Sequence, residues 1–415
     1  MRIPWFTVGK HRIPAVAFVA MTVTAGLVGS PAAAGTASAD VRNAGGATAI
    51  QDSYVVVLKD AVAARDAVDR TADAVARRYG GTVEHRYTSA LRGFSVRTSA
   101  ARARRIAADP AVAFVEQNHV VRLADSQVDP QSWGLDRVDQ RTLPLDRSYS
   151  YPASGGAGVH AYVVDSGFRF THRDLAGRAV TGIDLVDGGS ADDCNGHGTH
   201  VAGTLGGSTF GVAKAVTLVA VRVFDCIGFG DLAQTVAGVD WITANAVKPA
   251  VANLSLGFPP GYDGDGILDV AVARSINTGI SYAVSAGNLH SDACAKSPAR
   301  VPAAITVAGS QHDDIAWPSS NDGPCVDLFA PALYVVSAGI NTDDESWTRS
   351  GTSMAAPHVA GAAAILLSAQ PTWTPEQVRN EIVGQATPDV LGWVTPGTPN
   401  LLLYIGGEPV AAAPS

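Results

Sequence analysis

Five short apolar runs limit what this chain can fold into. HAYVVDSG (160–167), TLVAVRVF (217–224), VANLSLG (251–257), ISYAVSAG (280–287) and AITVAGS (304–310) each end in small or polar residues. Helical stretches are expected among them, near 198–206, 231–246 and 267–278. Runs that are apolar throughout suit strands covered on both faces, and alternation with helices makes the sheet parallel. The expected fold class is therefore α/β, a doubly wound, mainly parallel sheet with helices on both faces. In such sheets ligands bind beyond the carboxyl ends of the strands. Here those ends carry Asp165, Gly257 and Asn288. A later helix start is written in TPEQVRNEI (374–382), with Thr374 as N-cap, Pro375 at N1 and Gln377 at N3.

The first 124 residues are organised differently. Arg2, Lys10 and Arg12 precede an apolar stretch at 13–28, and small residues then offer cleavage after Ala34 or Ala39. That is a secretory signal peptide, 1–39, too short and too lightly flanked for a membrane anchor. No other window reads as a bilayer span. Residues 40–124 form a second segment with a fold at about 52–123. Its runs DSYVVVLKD (52–60), TVEHRYT (82–88), GFSVRTS (93–99) and AVAFVEQNHVVRL (111–123) are separated by helical stretches reaching about Tyr79 and lying near 100–108. The order β-α-β-β-α-β is the ferredoxin-like α+β pattern. Residues 125–405 form the main domain and 406–415 a loose tail. The second segment is net basic, whereas 125–415 carries fourteen Lys/Arg against twenty-nine Asp/Glu. A basic segment resting on an acidic body fits that split, and a nucleic-acid partner for the main domain does not.

Three stretches carry chemistry. DCNGHGTHVAGT (193–204) sets His197 and His200 three apart beside Asp192, Asp193 and Cys194. Spacing of i, i+3 puts both histidines on roughly one helix face, as a zinc pair needs, but no further His/Cys cluster completes a site. The same stretch suits a general base at a glycine-softened helix start. GTSMAAPHVAGAAAILL (351–367) opens an apolar helix with Ser353 at its start, either as a plain cap or as a nucleophile beside unpaired N–H groups. A serine hydroxyl needs a base to attack, and the base needs an orienting carboxylate. His197 and Asp165 can supply them. Four cysteines, an even number in a chain that looks exported, suggest two disulfides.

VVDSG around Asp165, NGHGTHVAGT around His197, SAGN ending at Asn288 and SGTSMAAPHVAG around Ser353 resemble the subtilisin family of serine peptidases. Within it the chain is similar to the proteinase K-like branch and its aqualysin-type secreted members, over most of 125–405. The order Asp, His, Ser is the one known for subtilisin. Residues 52–123 resemble the family's inhibitor-like propeptide. The resemblance implies a secreted, extracellular serine endopeptidase acting on protein and peptide substrates. Its own propeptide would serve as inhibitor and folding aid, and the mature chain would begin near Asp125. A monomer with no membrane attachment after signal cleavage is expected.

The resemblance also implies roles. Asp165, His197 and Ser353 form the triad, Asn288 donates to the oxyanion, and His200 is structural. Gly228, Phe229 and Gly230 flank one side of an extended substrate, with Ser255, Leu256 and Gly257 on the other. The S1 walls are 255–257 together with Ser285, Ala286 and Gly287. None is charged, so an uncharged P1 residue is favoured. The implied disulfides are Cys194–Cys226 and Cys294–Cys325, each closing a loop worth about 3–4 kcal/mol in the chain-entropy model. Structural calcium is implied in two places, with no catalytic metal. One is Asp327 with the carbonyls of Pro302 and Ala304; the other is Asp136, Asp139, Gln140 and Asp146, where Ser148 replaces the usual Asn. Other departures are Ser166 for Thr, Phe258 and Ala332 for Gly, and an altered loop at 317–325.

Overall fold

In the basic segment, β1 (Ala49–Leu58), α1 (Arg65–Tyr79), β2 (Thr82–Tyr87), β3 (Gly93–Arg97), α2 (Ala100–Ala107) and β4 (Val112–His119) follow the expected order. The computed structural model describes residues 39–45, 49–59, 65–119, 124–258 and 266–406. The signal stretch, the link at 120–123 and most of the tail lie outside the described residues. The four strands form an antiparallel sheet in the order β2-β3-β1-β4. Its inner face packs Val56, Phe94, Val96 and Val115 against Ala72 and Ile106 of the two helices. This is a small core, in keeping with about 70 residues.

The acidic segment begins with β5 (Ala124–Val128), α3 (Trp133–Val138) and β6 (Ser148–Pro152). β5 pairs antiparallel with β6, so the stretch around Asp125 is tied by backbone bonds to the domain that follows it. Next come β7 (His160–Asp165), β8 (Ala179–Asp184), α4 (His197–Gly206), β9 (Thr217–Arg222), α5 (Leu232–Asn245), β10 (Ala250–Leu254), α6 (Ile267–Ile276) and β11 (Ser281–Ser285). The remainder is β12 (Ile305–Ser310), β13 (Leu328–Pro331), β14 (Val335–Ala338), β15 (Ser346–Arg349), α7 (Thr352–Ala369), α8 (Pro375–Gln385), β16 (Thr387–Pro388) and β17 (Leu401–Leu402).

Nine strands form one sheet in the order β16-β17-β13-β12-β11-β10-β7-β9-β8. Neighbours from β13 to β8 run parallel, and only the edge pair β16–β17 is antiparallel. The five apolar runs are its central strands. Alternate residues serve opposite faces. Thus Ala161 and Val163 of β7 join the core under α4 and α7, while Tyr162 and Val164 join the core under α5 and α6. β7 lies between β9 and β10, so connections leave it to both sides and open a crevice at the strand ends.

α7 has the length and mean hydropathy of a membrane span, but 78% of that window is buried inside the domain. It is a core helix, and the expectation of no further apolar window is corrected in that sense. α8 starts as read: Thr374 accepts from the Gln377 amide and Gln377 reaches back, a complete capping box.

Candidate active site

Asp165 ends β7 and is completely buried. Its carboxylate accepts from the Ser166 amide at 2.8 Å and faces His197 Nδ1 at 2.8 and 2.9 Å. His197 opens α4, and Asp193 fixes that opening. The Asp193 carboxylate accepts from the amides of Asn195, Gly196 and Thr199 and from the hydroxyls of Ser166 and Thr199. A carboxylate over a helix start suits the unpaired N–H groups and partial positive charge there. Ser166 in turn accepts from the Gly198 amide at 2.9 Å, tying the strand end to the helix. Glycine is needed at 198, since a Cβ there would lie 2.4 Å from the Gly167 carbonyl oxygen.

These contacts set the electrostatics. Burial pushes the His197 imidazolium down, but the Asp165 carboxylate outweighs it and holds the pKa above the ordinary histidine value, against opposition from Arg349. His200 behaves differently. Burial pushes it down to about 3, so it stays neutral, and its Nε2 faces the carbonyls of Val335 and Trp347 at 3.1 Å each. The two histidines therefore serve separate partners. Among the described residues no group of three or more His, Cys, Asp or Glu side chains is arranged to hold a metal.

Ser353 is the second residue of α7, after Gly351 at φ +152°, a backbone position that side chains rarely adopt. Its hydroxyl donates to the Ser255 carbonyl at 3.4 Å instead of bonding to His197. Ser255 Oγ donates to the Ser353 carbonyl at 2.7 Å and accepts from Asn253 at 2.9 Å, which joins the serine to the end of β10. Asn288 is held from one side only. Its Oδ1 accepts from the Thr352 amide at 2.9 Å and the Thr352 hydroxyl at 2.8 Å. A backbone N–H can only donate, so the amide orientation is fixed and Nδ2 is left as a donor beside Ser353.

Ser255, Leu256, Gly257, Ser285, Ala286, Gly287, Asn288 and Ser353 line one cavity of about 260 Å³, along with Phe258. Lys296 also lines it, a cation from outside the two wall segments. Asn321, from the altered 317–325 loop, fixes the far wall by donating to the Ala286 carbonyl and accepting from the Leu289 and Ser291 amides. The Gly228–Gly230 segment is a surface turn closed on Asp225, with Phe229 exposed. Cys194–Cys226 is bonded and joins this turn to the approach to α4; Cys294–Cys325 is bonded too. A larger cavity of about 750 Å³ lies around Lys248, Gly279 and Trp373, at the amino ends of the strands. It holds none of these groups.

The two calcium sets differ in fit. Asp327 is already engaged by the Arg379 guanidinium and the Thr306 amide, so its charge is balanced within the chain. In the other set, Asp136 Oδ1 and Asp139 Oδ1 are buried without hydrogen-bond partners. Burial, with repulsion from Asp146 and Asp136, pushes Asp139 up to about 7 despite the Ser150 amide. Gln140 Oε1 accepts from the Asp146 amide, which holds the loop around them. Unused carboxylate oxygens are the donors a hard divalent cation takes, although Asp136, Asp139 and Asp146 are not gathered into one three-carboxylate cluster.

A parallel α/β sheet whose strand ends gather a buried Asp paired with a half-buried His, and a helix-start serine, defines the class: a serine hydrolase. Comparison narrows it. Residues 156–403 match the subtilase family and residues 53–124 match the peptidase inhibitor I9 family. An extracellular serine proteinase of Thermus sp. (strain Rt41A) is 51% identical over 78% of this chain and 78% of its own length. Alkaline serine exoprotease A of Vibrio alginolyticus is 42% identical over 86% of this chain and 68% of its own. The crystal structure of a cold adapted subtilisin-like serine proteinase superposes with a TM-score of 0.64 at 47% identity, covering 66% of this chain and 98% of that one. The chain belongs to the subtilase family: it is a serine protease with an I9-type propeptide.

Proposed function

We propose that this protein is exported and matured into an endopeptidase whose triad is Asp165, His197 and Ser353. The observation that carries the reading is the pair of fixed orientations around Ser353: imidazole held by Asp165, and the Asn288 amide held by Thr352. Ser353 Oγ attacks the peptide carbonyl carbon while His197 Nε2 takes its proton. Asp165 keeps the proton on Nδ1 and stabilises the imidazolium. The oxyanion is met by Asn288 Nδ2 and the Ser353 amide. His197 then protonates the leaving amine, and water releases the acyl group by the same steps. Catalytic hydrogen bonds are commonly long or misaligned in substrate-free sites, and the Ser353 hydroxyl turns from Ser255 to His197 when substrate binds.

The acyl half of the substrate lies as a strand between Gly228–Gly230 and Ser255–Gly257, with P1 in the 260 Å³ cavity. The uncharged walls at 255–257 and 285–287 favour neutral or apolar P1 over Lys or Arg. The I9 segment blocks the cleft and aids folding until cleavage near Asp125, and the sequence pattern at 1–39 supports export. Calcium is assigned to Asp136, Asp139, Gln140 and Asp146, where it would neutralise the buried carboxylates and brace the segment after α3. Asp327, Pro302 and Ala304 are not assigned calcium, because Arg379 supplies the countercharge. A fluorophosphonate probe tests the nucleophile: the mature enzyme should be labelled on the peptide containing Ser353. Labelling elsewhere, or none, would remove the assignment.

A further inference from the structure

We propose that Arg349 selects the leaving half of the substrate, recruiting an acidic side chain within the first two residues after the scissile bond. The inference rests on the peptidase reading above. Arg349 ends β15, four residues before Ser353, and is partly buried. One guanidinium nitrogen donates to the Asn195 carbonyl at 3.5 Å, and the group lies 5.0 Å from the Trp347 ring centre. Its Nε is buried without an acceptor. Among the described residues no carboxylate forms an ion pair with it.

The carboxylates near enough to be felt are Asp165 and Asp193. Neither is available. Asp165 is buried against His197 and the Ser166 amide, and Asp193 already accepts from three amides and two hydroxyls. The histidines alongside add no countercharge: His200 is neutral, and His197 must be neutral to act as base. The result is a guanidinium beside the catalytic base with donors to spare. A substrate carboxylate would complete it by a charge-assisted, two-pronged contact.

Geometry gives the side. The two halves of a scissile peptide extend in opposite directions from the carbon that Ser353 attacks. P1 enters the cavity walled by Ser255–Gly257 and Ser285–Gly287, and Arg349 takes no part in that lining. Arg349 instead belongs to the β14–β15 hairpin, which packs on α4: His200 meets Trp347 and Val335, and Gly196 lies under the Trp347 ring. His197 delivers its proton to the leaving amine, so the leaving half passes over this flank.

The test uses the mature wild-type enzyme and Arg349→Leu on quenched peptides identical except for Asp, Gln or Lys at the first or second position after the cut. Wild type should favour Asp over Lys by about tenfold in kcat/KM, the size of one partly solvated charged contact. High salt should shrink that ratio. Arg349→Leu should bring it near one, Arg349→Lys should retain part of it, and discrimination among P1 residues should stay as in wild type. An unchanged Asp/Lys ratio in Arg349→Leu would overturn the proposal. So would equal loss of P1 discrimination, which would make Arg349 a support for the whole cleft. Failure of wild type to cut any peptide would instead overturn the peptidase reading beneath it.

Discussion

Two side chains at the site act through the atoms they leave free. Asn288 gives its oxygen to Thr352, and in the proposed mechanism its N–H₂ serves the oxyanion. Asn288→Ala should lower kcat by about 10²–10³ with little change in KM, the cost known for the corresponding donor of subtilisin itself. Thr352→Val should lower kcat by about tenfold, since it removes one of the two donors holding the amide. Steady-state kinetics on one peptide checks both. His197 gives one nitrogen to Asp165, and in the proposed mechanism the other is the base. Its proton must be gone for catalysis, and Asp165 raises its pKa, so activity should fall on the acid side through a midpoint above the ordinary histidine value. A pH profile of kcat/KM measures that midpoint. A midpoint below the ordinary value would mean that burial outweighs the carboxylate.

At the scale of elements, the sequence shows the centre of the sheet better than its edges. The five apolar runs became β7, β9, β10, β11 and β12 because buried parallel strands need no polar face. β8 carries no such signal: AVTGID is an edge strand with only its last residue buried and no alternation. LFAP of β13 is a four-residue strand ending in proline, too short to stand out. Asp165, His197 and Ser353, the proposed triad, stand out in the sequence because each sits in a local motif. Thr352, Asn321 and Arg349 do not, since their partners are reached only through the fold, as with Thr352 and Asn288, 64 residues apart. The bonded pair Cys194–Cys226 is an element-scale device, joining the Phe229 turn to the approach to α4. Replacing both cysteines by Ser should cost about 3 kcal/mol and shorten the half-life of thermal inactivation. An unchanged half-life would mean that this loop opens only after the rate-limiting step.

For the molecule as a whole, a basic I9 segment is made with an acidic protease domain that two disulfides brace, and the proposed calcium would brace it further. Chelation should lower the melting temperature of the mature enzyme, and added calcium should restore it. Asp139→Asn should blunt that response, whereas Arg379→Ala should not; equal melting curves with and without chelator would remove calcium from the account. Whether Ser353 is the nucleophile of a self-maturing peptidase is read from the intact mass of the full chain expressed as wild type and as Ser353→Ala. A wild-type product starting near Asp125 and a mutant that keeps residues 40–124 uncut are expected. Equal masses would contradict self-maturation by Ser353: either another protease makes the cut or none is made.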